Sequence, residues 1–89
     1  MKTAFKKSFA RDIKTHSKNK DLLSRIQKTI LEIEAADNIT NVKNLKKLKA
    51  EGSYYRIRIG NYRIGLTIEN EIITFVRALH RSEIYRYFP

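Results

Sequence analysis

Apolar residues recur at two different spacings along the chain, and the spacing changes near its middle. Between residues 21 and 37 they lie three to four positions apart, which predicts an amphipathic helix with Asp21 as its N-cap. Its apolar stripe consists of Leu22, Leu23, Ile26, Ile30 and Ile33. A shorter helix is predicted in residues 8–16, where Phe9 and Ile13 are four apart and Ser8 is the candidate N-cap. The two helices should form a hairpin.

From residue 54 onward, apolar and polar residues alternate, which is the period of β-strands. Three strands are predicted at 54–59, 62–68 and 72–79, with the two-residue turn Gly60-Asn61 after the first. Glu69-Asn70-Glu71 marks the second turn.

Two further segments are candidates for edge strands. The segment KNLKKLKAEG at 43–52 fits either a helical turn or an edge strand with lysines on its rim. Residues 1–7 could form another edge strand, with Phe5 as a buried anchor. The last residues, 80–89, are predicted to be a loop and a short helical turn that Pro89 stops.

This order of elements predicts an α+β fold, in which an N-terminal helical hairpin packs on one face of a small antiparallel sheet. With 89 residues, the chain is expected to be a single domain spanning residues 1–89.

The turn Gly60-Asn61 fixes the register of the first hairpin. It places the apolar residues of both strands on one face, which should meet the helices. On the other face Arg58 lies opposite Arg63, and Arg56 lies opposite Gly65. Since like charges directly opposite each other destabilise a sheet, this face is predicted to bind an anion, with open space beside Gly65. The alternative is that the arginines are solvated and bend away from one another.

The position of Arg77 depends on the length of the second turn. A three-residue turn places Arg77 opposite Arg63, within the cluster, and a two-residue turn places it on the apolar face. The sequence allows both turn lengths.

Five basic residues are candidates for binding phosphate: Arg56, Arg58, Arg77, Lys47 and Lys49.

The formal net charge of +10 predicts attraction to a polyanion, such as a nucleic acid, an anionic membrane or an acidic protein. The alternative is a charge that only keeps the protein soluble. Residues 1–50 contain eleven Lys and two Arg, whereas residues 51–89 contain six Arg and no Lys. Because arginine binds phosphate bidentately, the site is expected in the second part.

Several kinds of chemistry are not expected from this composition. The chain contains no Cys, and its two histidines, His16 and His80, have no carboxylates at ligand spacing, so neither a metal site nor a cofactor is predicted. No long apolar run or signal peptide is present, so we expect a cytoplasmic protein. The segment HRSEIYRY at 80–87 offers His80, Arg81 and Tyr85 for proton transfer or charge stabilisation.

The order of two helices, then YYRIRIGNYRIG at 54–65 and VRALHRSEIYRYF at 76–88, resembles the RelE/ParE superfamily of bacterial toxins from type II toxin–antitoxin systems. The resemblance covers essentially the whole chain. It implies one of two activities: the RelE branch consists of ribosome-dependent mRNA endonucleases, and the ParE branch inhibits DNA gyrase without being a nuclease. A plain RNA-binding module is a third alternative.

Similarity to the RelE branch also implies site residues. They are the basic residues of the first hairpin strand, the arginine of the second, the basic step after the last strand and the tyrosine that follows: Arg56, Arg58, Arg63, His80, Arg81 and Tyr85. Some RelE members have lysine in the first strand, where this chain has arginine.

The mechanism implied by the resemblance needs no metal. A 2′-hydroxyl of mRNA attacks the adjacent phosphate, and Tyr85 or His80 accepts its proton. Arg58, Arg63 and Arg81 stabilise the charge that develops on the phosphate, and Arg81 helps protonate the leaving oxygen. The implied partners are a cognate acidic antitoxin, mRNA and the ribosome, with no membrane involved.

Overall fold

The structure, a computed structural model, describes residues 1–48 and 52–89. Its helices are α1 (Lys7–Thr15), α2 (Lys20–Ala35) and α3 (Ile84–Tyr87), with one 3₁₀ turn at Ile39–Asn41. Its strands are β1 (Lys2–Phe5), β2 (Leu45–Lys47), β3 (Tyr54–Ile59), β4 (Tyr62–Glu69) and β5 (Ile72–His80). In the described parts of the chain, no helix is long and apolar enough to cross a membrane.

The strands form one sheet in the order β1-β5-β4-β3-β2. All neighbours are antiparallel except β1, which runs parallel to β5. The predicted α+β fold is confirmed, and so are the three main strands and the edge strand at 45–47. The prediction of Phe5 as a buried anchor is wrong, because its ring stacks on Phe75 at the open edge of the sheet and is 52% exposed.

The core lies between the sheet and the two long helices, as predicted. The helices contribute their apolar stripes, and the sheet contributes one face of its three central strands. The buried residues of this core are Phe9, Leu22, Ile26, Ile33, Ile57, Ile59, Ile64, Leu66, Ile73, Phe75 and Ala78.

Both predicted N-caps are wrong. Asn19 caps α2, since its Oδ1 accepts a hydrogen bond from the N–H of Leu22 at 3.1 Å. Asp21 lies inside the first turn, where a carboxylate is favoured by the helix dipole. Ser8 lies inside α1, and its Oγ donates to the carbonyl oxygen of Val76 at 2.6 Å.

Helix α1 covers the part of the β5 edge that lies beyond β1. In addition to the Ser8 bond, the Asp12 carboxylate accepts the N–H of Ala78 at 2.9 Å. Ser8 and Asp12 are four positions apart, so they lie on one face of α1. Side chains of α1 thus form the hydrogen bonds that a neighbouring strand would otherwise form with this part of the β5 backbone.

A β-bulge decides where Arg77 lies. The second turn has two residues, Asn70 and Glu71, both with positive φ. A regular ladder would then place Arg77 on the apolar face. The register instead shifts, so that Leu66 pairs with Phe75 and Gly65 pairs with Arg77. Arg77 therefore leaves the apolar face but lies opposite Gly65, an arrangement that neither predicted alternative contained.

The C-terminal segment folds over the second face of the sheet. Leu79, Ile84 and Phe88 form a small buried core there, against the half-buried Leu48 and Val76. The Phe88 ring lies so close to Gly65 that a Cβ at this glycine would be 2.7 Å from it. The predicted open space beside Gly65 is therefore wrong, because the protein's own aromatic ring fills it.

Candidate active site

The first hairpin has the predicted register, and its arginines lie beside the C-terminal segment. Arg58 is opposite Arg63. Burial lowers the pKa of Arg63, and so do the positive charges of Arg56, Arg58 and Arg81, while Tyr85 opposes them. Arg56, Arg58, Arg81 and Tyr85 therefore each lie within electrostatic reach of Arg63, which makes a group of five side chains. We call them the arginine rim.

Backbone carbonyl groups hold two of these arginines. Arg63 donates from Nη1 to the carbonyl oxygens of Gly60 and Tyr62, at 2.9 and 3.0 Å. Arg56 donates from Nη1 to the carbonyl oxygen of Asn44 at 2.9 Å, and its buried Nε has no partner. Among the residues that the structure describes, no carboxylate forms an ion pair with the rim. Its positive charge is thus fixed in place and remains available to an anion.

Tyr85 is exposed on the short helix α3, which two buried side chains anchor to the sheet. Ile84 and Phe88 point into the small core, whereas Tyr85 is 62% exposed. The hydrogen bond from the N–H of Phe88 to the carbonyl oxygen of Ile84, at 2.8 Å, closes this turn. A phenol that can meet a substrate is thereby held within electrostatic reach of Arg63.

His80 lies on the other face of the sheet. It is paired with Tyr62, and the two rings are 5.5 Å apart at 84°. Tyr62 packs against the helix-side core, so its cross-strand neighbour faces away from Arg63. The N–H of Ser82 also donates to Nδ1 of His80 at 3.2 Å, which places the proton of a neutral ring on Nε2.

Arg77 is bound by a residue that the sequence reasoning missed. Its Nε and Nη2 donate to the two carboxylate oxygens of Asp12 at 2.8 and 3.1 Å, and its guanidinium lies 5.7 Å from the centre of the Tyr87 ring. The hydrogen bond with Asp12 raises the pKa of Arg77. The only available signal for Asp12 was its position four residues after Ser8 on a short helix.

Of the two candidate lysines, only Lys47 is among the described residues, and it does not join the rim. Lys47 pairs with Tyr55 and shares the helix-side face, and Lys49 lies outside the described residues. Lys46, which was not a candidate, pairs with Arg56 and shares the arginine face. The period of two along a strand could have identified it once 45–47 was assigned as an edge strand.

The rim offers positive charge and one phenol as its chemistry. Within residues 1–48 and 52–89, no three side chains of His, Asp or Glu are grouped in a way that could hold a metal ion. The arrangement can bind a phosphate, stabilise charge that develops on it, and accept or donate a proton through Tyr85.

Known proteins resemble this chain over nearly its full length. Residues 4–85 match the family model described as the ParE toxin of the type II toxin-antitoxin system, parDE. The chain is 42% identical over 90 residues to Toxin RelE3 of Methanocaldococcus jannaschii, and the match covers both chains completely.

Solved structures agree with these matches. A chain of the RelB-RelE antitoxin-toxin complex from Methanococcus jannaschii is 39% identical, with a TM-score of 0.75 over 97% of this chain and 99% of that one. A chain of the E. coli DinJ-YafQ complex has the same fold at 13% identity, with a TM-score of 0.74 over 93% and 96% of the two chains. The protein therefore belongs to the ParE toxin family within the RelE/ParE superfamily, and it is a RelE-like toxin of a type II toxin–antitoxin system.

Proposed function

We propose that this toxin is an endoribonuclease that cuts mRNA, most effectively on the ribosome, and that the arginine rim is its active site. The observation that carries the proposal is that Arg63 lies opposite Arg58 on the hairpin and within electrostatic reach of Arg56, Arg81 and the exposed Tyr85. Repulsion between these positive charges opposes folding, and no carboxylate among the described residues forms an ion pair with them. A bound phosphate would reverse the sign of their interaction.

The nucleophile is proposed to arrive with the substrate. The chain has no Cys, and Ser82, the serine nearest the rim in sequence, is bonded to Nδ1 of His80 on the opposite face. RNA carries a 2′-hydroxyl next to each phosphate. Its oxygen attacks the phosphorus, the bond to the 5′-oxygen breaks, and a 2′,3′-cyclic phosphate forms. This reaction does not require a metal ion, so activity should persist in a chelator.

Four of the five rim residues, all except Arg56, have a proposed role in the reaction. Tyr85 accepts the proton of the 2′-hydroxyl, because it is the only rim residue with a phenol oxygen. Arg58 and Arg63 bind the equatorial oxygens of the phosphate, where negative charge develops. Arg81 donates a hydrogen bond to the leaving 5′-oxygen, which takes a proton from water and ends as a free hydroxyl. His80 is left out, since it faces the helices.

The proposed partners follow from charge and from the relatives. The related RelE was solved with RelB, and YafQ with DinJ. For this chain we propose an acidic antitoxin that neutralises its +10 charge, and mRNA with the ribosome as targets in the cytoplasm.

Gyrase inhibition is the second candidate function, because the matching family model describes a ParE toxin. The order of events after induction separates the two. A ribonuclease stops protein synthesis first, whereas a gyrase inhibitor stops DNA replication first. Early arrest of replication, with translation continuing, would contradict the proposed function.

Cleavage of mRNA on translating ribosomes tests the proposed site. Arg63→Ala and Arg81→Ala should each lower the cleavage rate by about 10²-fold or more. Arg11→Ala is the matched control, since Arg11 is exposed on α1 and away from the rim. Equal activity in all three variants would contradict the assignment.

A further inference from the structure

A second basic surface lies next to the arginine rim, in a cleft between α2 and the outer edge of β3. The cleft has a volume of about 290 Å³. We call it the α2 cleft. Helix α2, the segment before β2 and strand β3 each contribute to its walls, which are lined by Arg25, Lys28, Thr29, Lys43, Asn44 and Arg58.

The charge of the α2 cleft is strongly unbalanced. Four cations line it, whereas Glu32 is the one carboxylate in its lining. Arg25 has a loose contact of 3.9 Å with Asp21, which lies on its own helix. Over residues 1–48 and 52–89, neither Lys28 nor Lys43 forms an ion pair. Such a surface attracts an anion, and the fold does not use its charge.

The backbone just before β2 keeps the cleft open. Pairing of β2 with β3 begins at Leu45 and Ile57, so the last residues of β3 have no strand on the side away from β4. Asn44 has a φ of 62°, and its carbonyl oxygen accepts hydrogen bonds from the N–H of Arg58 and from Nη1 of Arg56, at 3.2 and 2.9 Å. The same carbonyl thus fixes one wall of the cleft and one arginine of the rim.

The cleft is continuous with the rim through the first hairpin turn. Arg58 belongs to both surfaces. The guanidinium of Arg25 lies against Gly60, where an added Cβ would be 2.8 Å from its Nη1. The carbonyl oxygen of this glycine also accepts the hydrogen bond of Arg63 at 2.9 Å. Positive charge therefore runs without a break from Lys28, past the turn, to Arg63.

We propose that the α2 cleft binds the phosphodiester backbone of the RNA that the rim cuts, outside the scissile phosphate. The inference rests on the proposed function and extends its site. A polyanion with regularly spaced phosphates fits two adjoining basic surfaces that share one arginine, as in proteins that track single strands.

The lining favours RNA over an acidic protein segment. A protein segment generally needs apolar contacts to hold it in place. In this cleft Ile57 and Ile59 are buried, and polar and charged side chains form most of the walls. A more apolar groove lies elsewhere, between α1 and α2, and is lined by Ile13, Ile30 and Leu31.

Fluorescence anisotropy with two single-stranded RNAs tests the proposal. One has about four nucleotides and the other about twelve, and both are 2′-O-methylated so that they are not cut. The test variant is Lys28→Glu with Lys43→Glu. The control is Lys14→Glu with Lys18→Glu, which changes the net charge equally at exposed positions that do not line the cleft.

The proposal predicts a loss that depends on RNA length. The test variant should weaken binding of the long RNA at least about tenfold, and should make the slope of log K against log salt less negative by about 1.4, for two lost phosphate contacts. Its affinity for the short RNA should stay within about threefold of that of the control variant. Equal weakening by both variants, or a long RNA that binds no more tightly than the short one, would overturn the proposal.

Two further measurements distinguish RNA binding in the α2 cleft from the proposed nuclease activity and from antitoxin binding. Cleavage of an unmethylated RNA or of ribosome-bound mRNA by the wild type measures the proposed function on its own. A wild type that cuts neither, but shows the length-dependent loss in binding, would contradict the nuclease and retain the cleft. A test variant that loses affinity for an acidic antitoxin, and keeps its affinity for the long RNA, would overturn the cleft as an RNA site.

Discussion

Asp12 and Arg77 are joined by two parallel hydrogen bonds, of 2.8 and 3.1 Å, and the same carboxylate accepts the N–H of Ala78 at 2.9 Å. The Asp12 side chain is 8% exposed, and the Arg77 side chain is 25% exposed. This pair ties α1 to the bulged part of β5. Arg77 is therefore an arginine that the fold uses, in contrast to the arginines of the rim.

Removing the Asp12 carboxylate should destabilise the protein. Asp12→Ala leaves Arg77 without its partner and the N–H of Ala78 without an acceptor, so we expect a loss of about 2–4 kcal/mol in the free energy of unfolding. Asp12→Asn retains one oxygen acceptor and should cost less. Urea denaturation of both variants measures the difference, and an Asp12→Ala protein as stable as the wild type would contradict this role.

The contribution of Arg77 to the free energy of unfolding should be independent of pH over a wide range. The pKa of Arg77 is raised, chiefly by its hydrogen bond with Asp12. A base with a raised folded-state pKa stabilises the fold below its ordinary pKa, and this stabilisation is lost only as the pH rises through the folded value. The stability difference between the wild type and Arg77→Met should thus stay constant from about pH 7 to about pH 10. A difference that declines within this window would show that another group controls the pair.

The positive charge of Arg63 should lower the stability of the fold, whereas that of Arg77 raises it. Burial and then the neighbouring positive charges lower its pKa, so its protonated form opposes folding until the pH becomes strongly alkaline. At neutral pH a bound polyvalent anion should relieve this cost. We expect phosphate to raise the melting temperature of the wild type more than chloride does at equal ionic strength, and to raise that of Arg63→Ala less. Equal responses of the two proteins would argue against an anion site at Arg63.

The contact between Gly65 and Phe88 should link the fold to activity. Gly65→Ala places a Cβ within 2.7 Å of the Phe88 ring, which must move and take α3 and Tyr85 with it. We expect a loss of about 1–3 kcal/mol in stability and a larger proportional loss in RNA cleavage. In a Phe88→Ala background, Gly65→Ala should cost almost nothing further. Additive effects in this double-mutant cycle would rule out the contact as the cause.

Tyr85 and His80 can be separated as candidate bases. Tyr85→Phe should lower the cleavage rate by about 10²-fold or more, because it removes only the phenol oxygen. Tyr87→Phe is the matched control, since Tyr87 is also exposed on α3. His80→Gln should stay within about threefold of the wild type, because His80 packs against Tyr62 on the helix side. A severe loss in His80→Gln, with Tyr85→Phe fully active, would reverse the assignment.

Local rules predict the part of this site that lies within one hairpin. The Gly60-Asn61 turn gives the pairing of Arg58 with Arg63, because a two-residue turn leaves no freedom in register. The position of Arg77 cannot be predicted in this way, since it depends on a bulge at the part of β5 that α1 covers. The contact of Phe88 with Gly65 cannot be predicted either, because it joins residues 23 positions apart.

If the rim directs a 2′-hydroxyl of RNA onto the neighbouring phosphate, cleavage must depend on that hydroxyl. The decisive substrate is an mRNA that carries a single 2′-deoxy residue just before the scissile phosphate, and the ends of the products are then analysed. We expect this substrate to bind normally and to stay uncut. The ordinary substrate should yield a 2′,3′-cyclic phosphate, or the 3′-phosphate to which it opens, and a free 5′-hydroxyl. Cleavage of the deoxy substrate, or a 5′-phosphate on the downstream fragment, would show that water is the nucleophile and that the proposed mechanism is wrong.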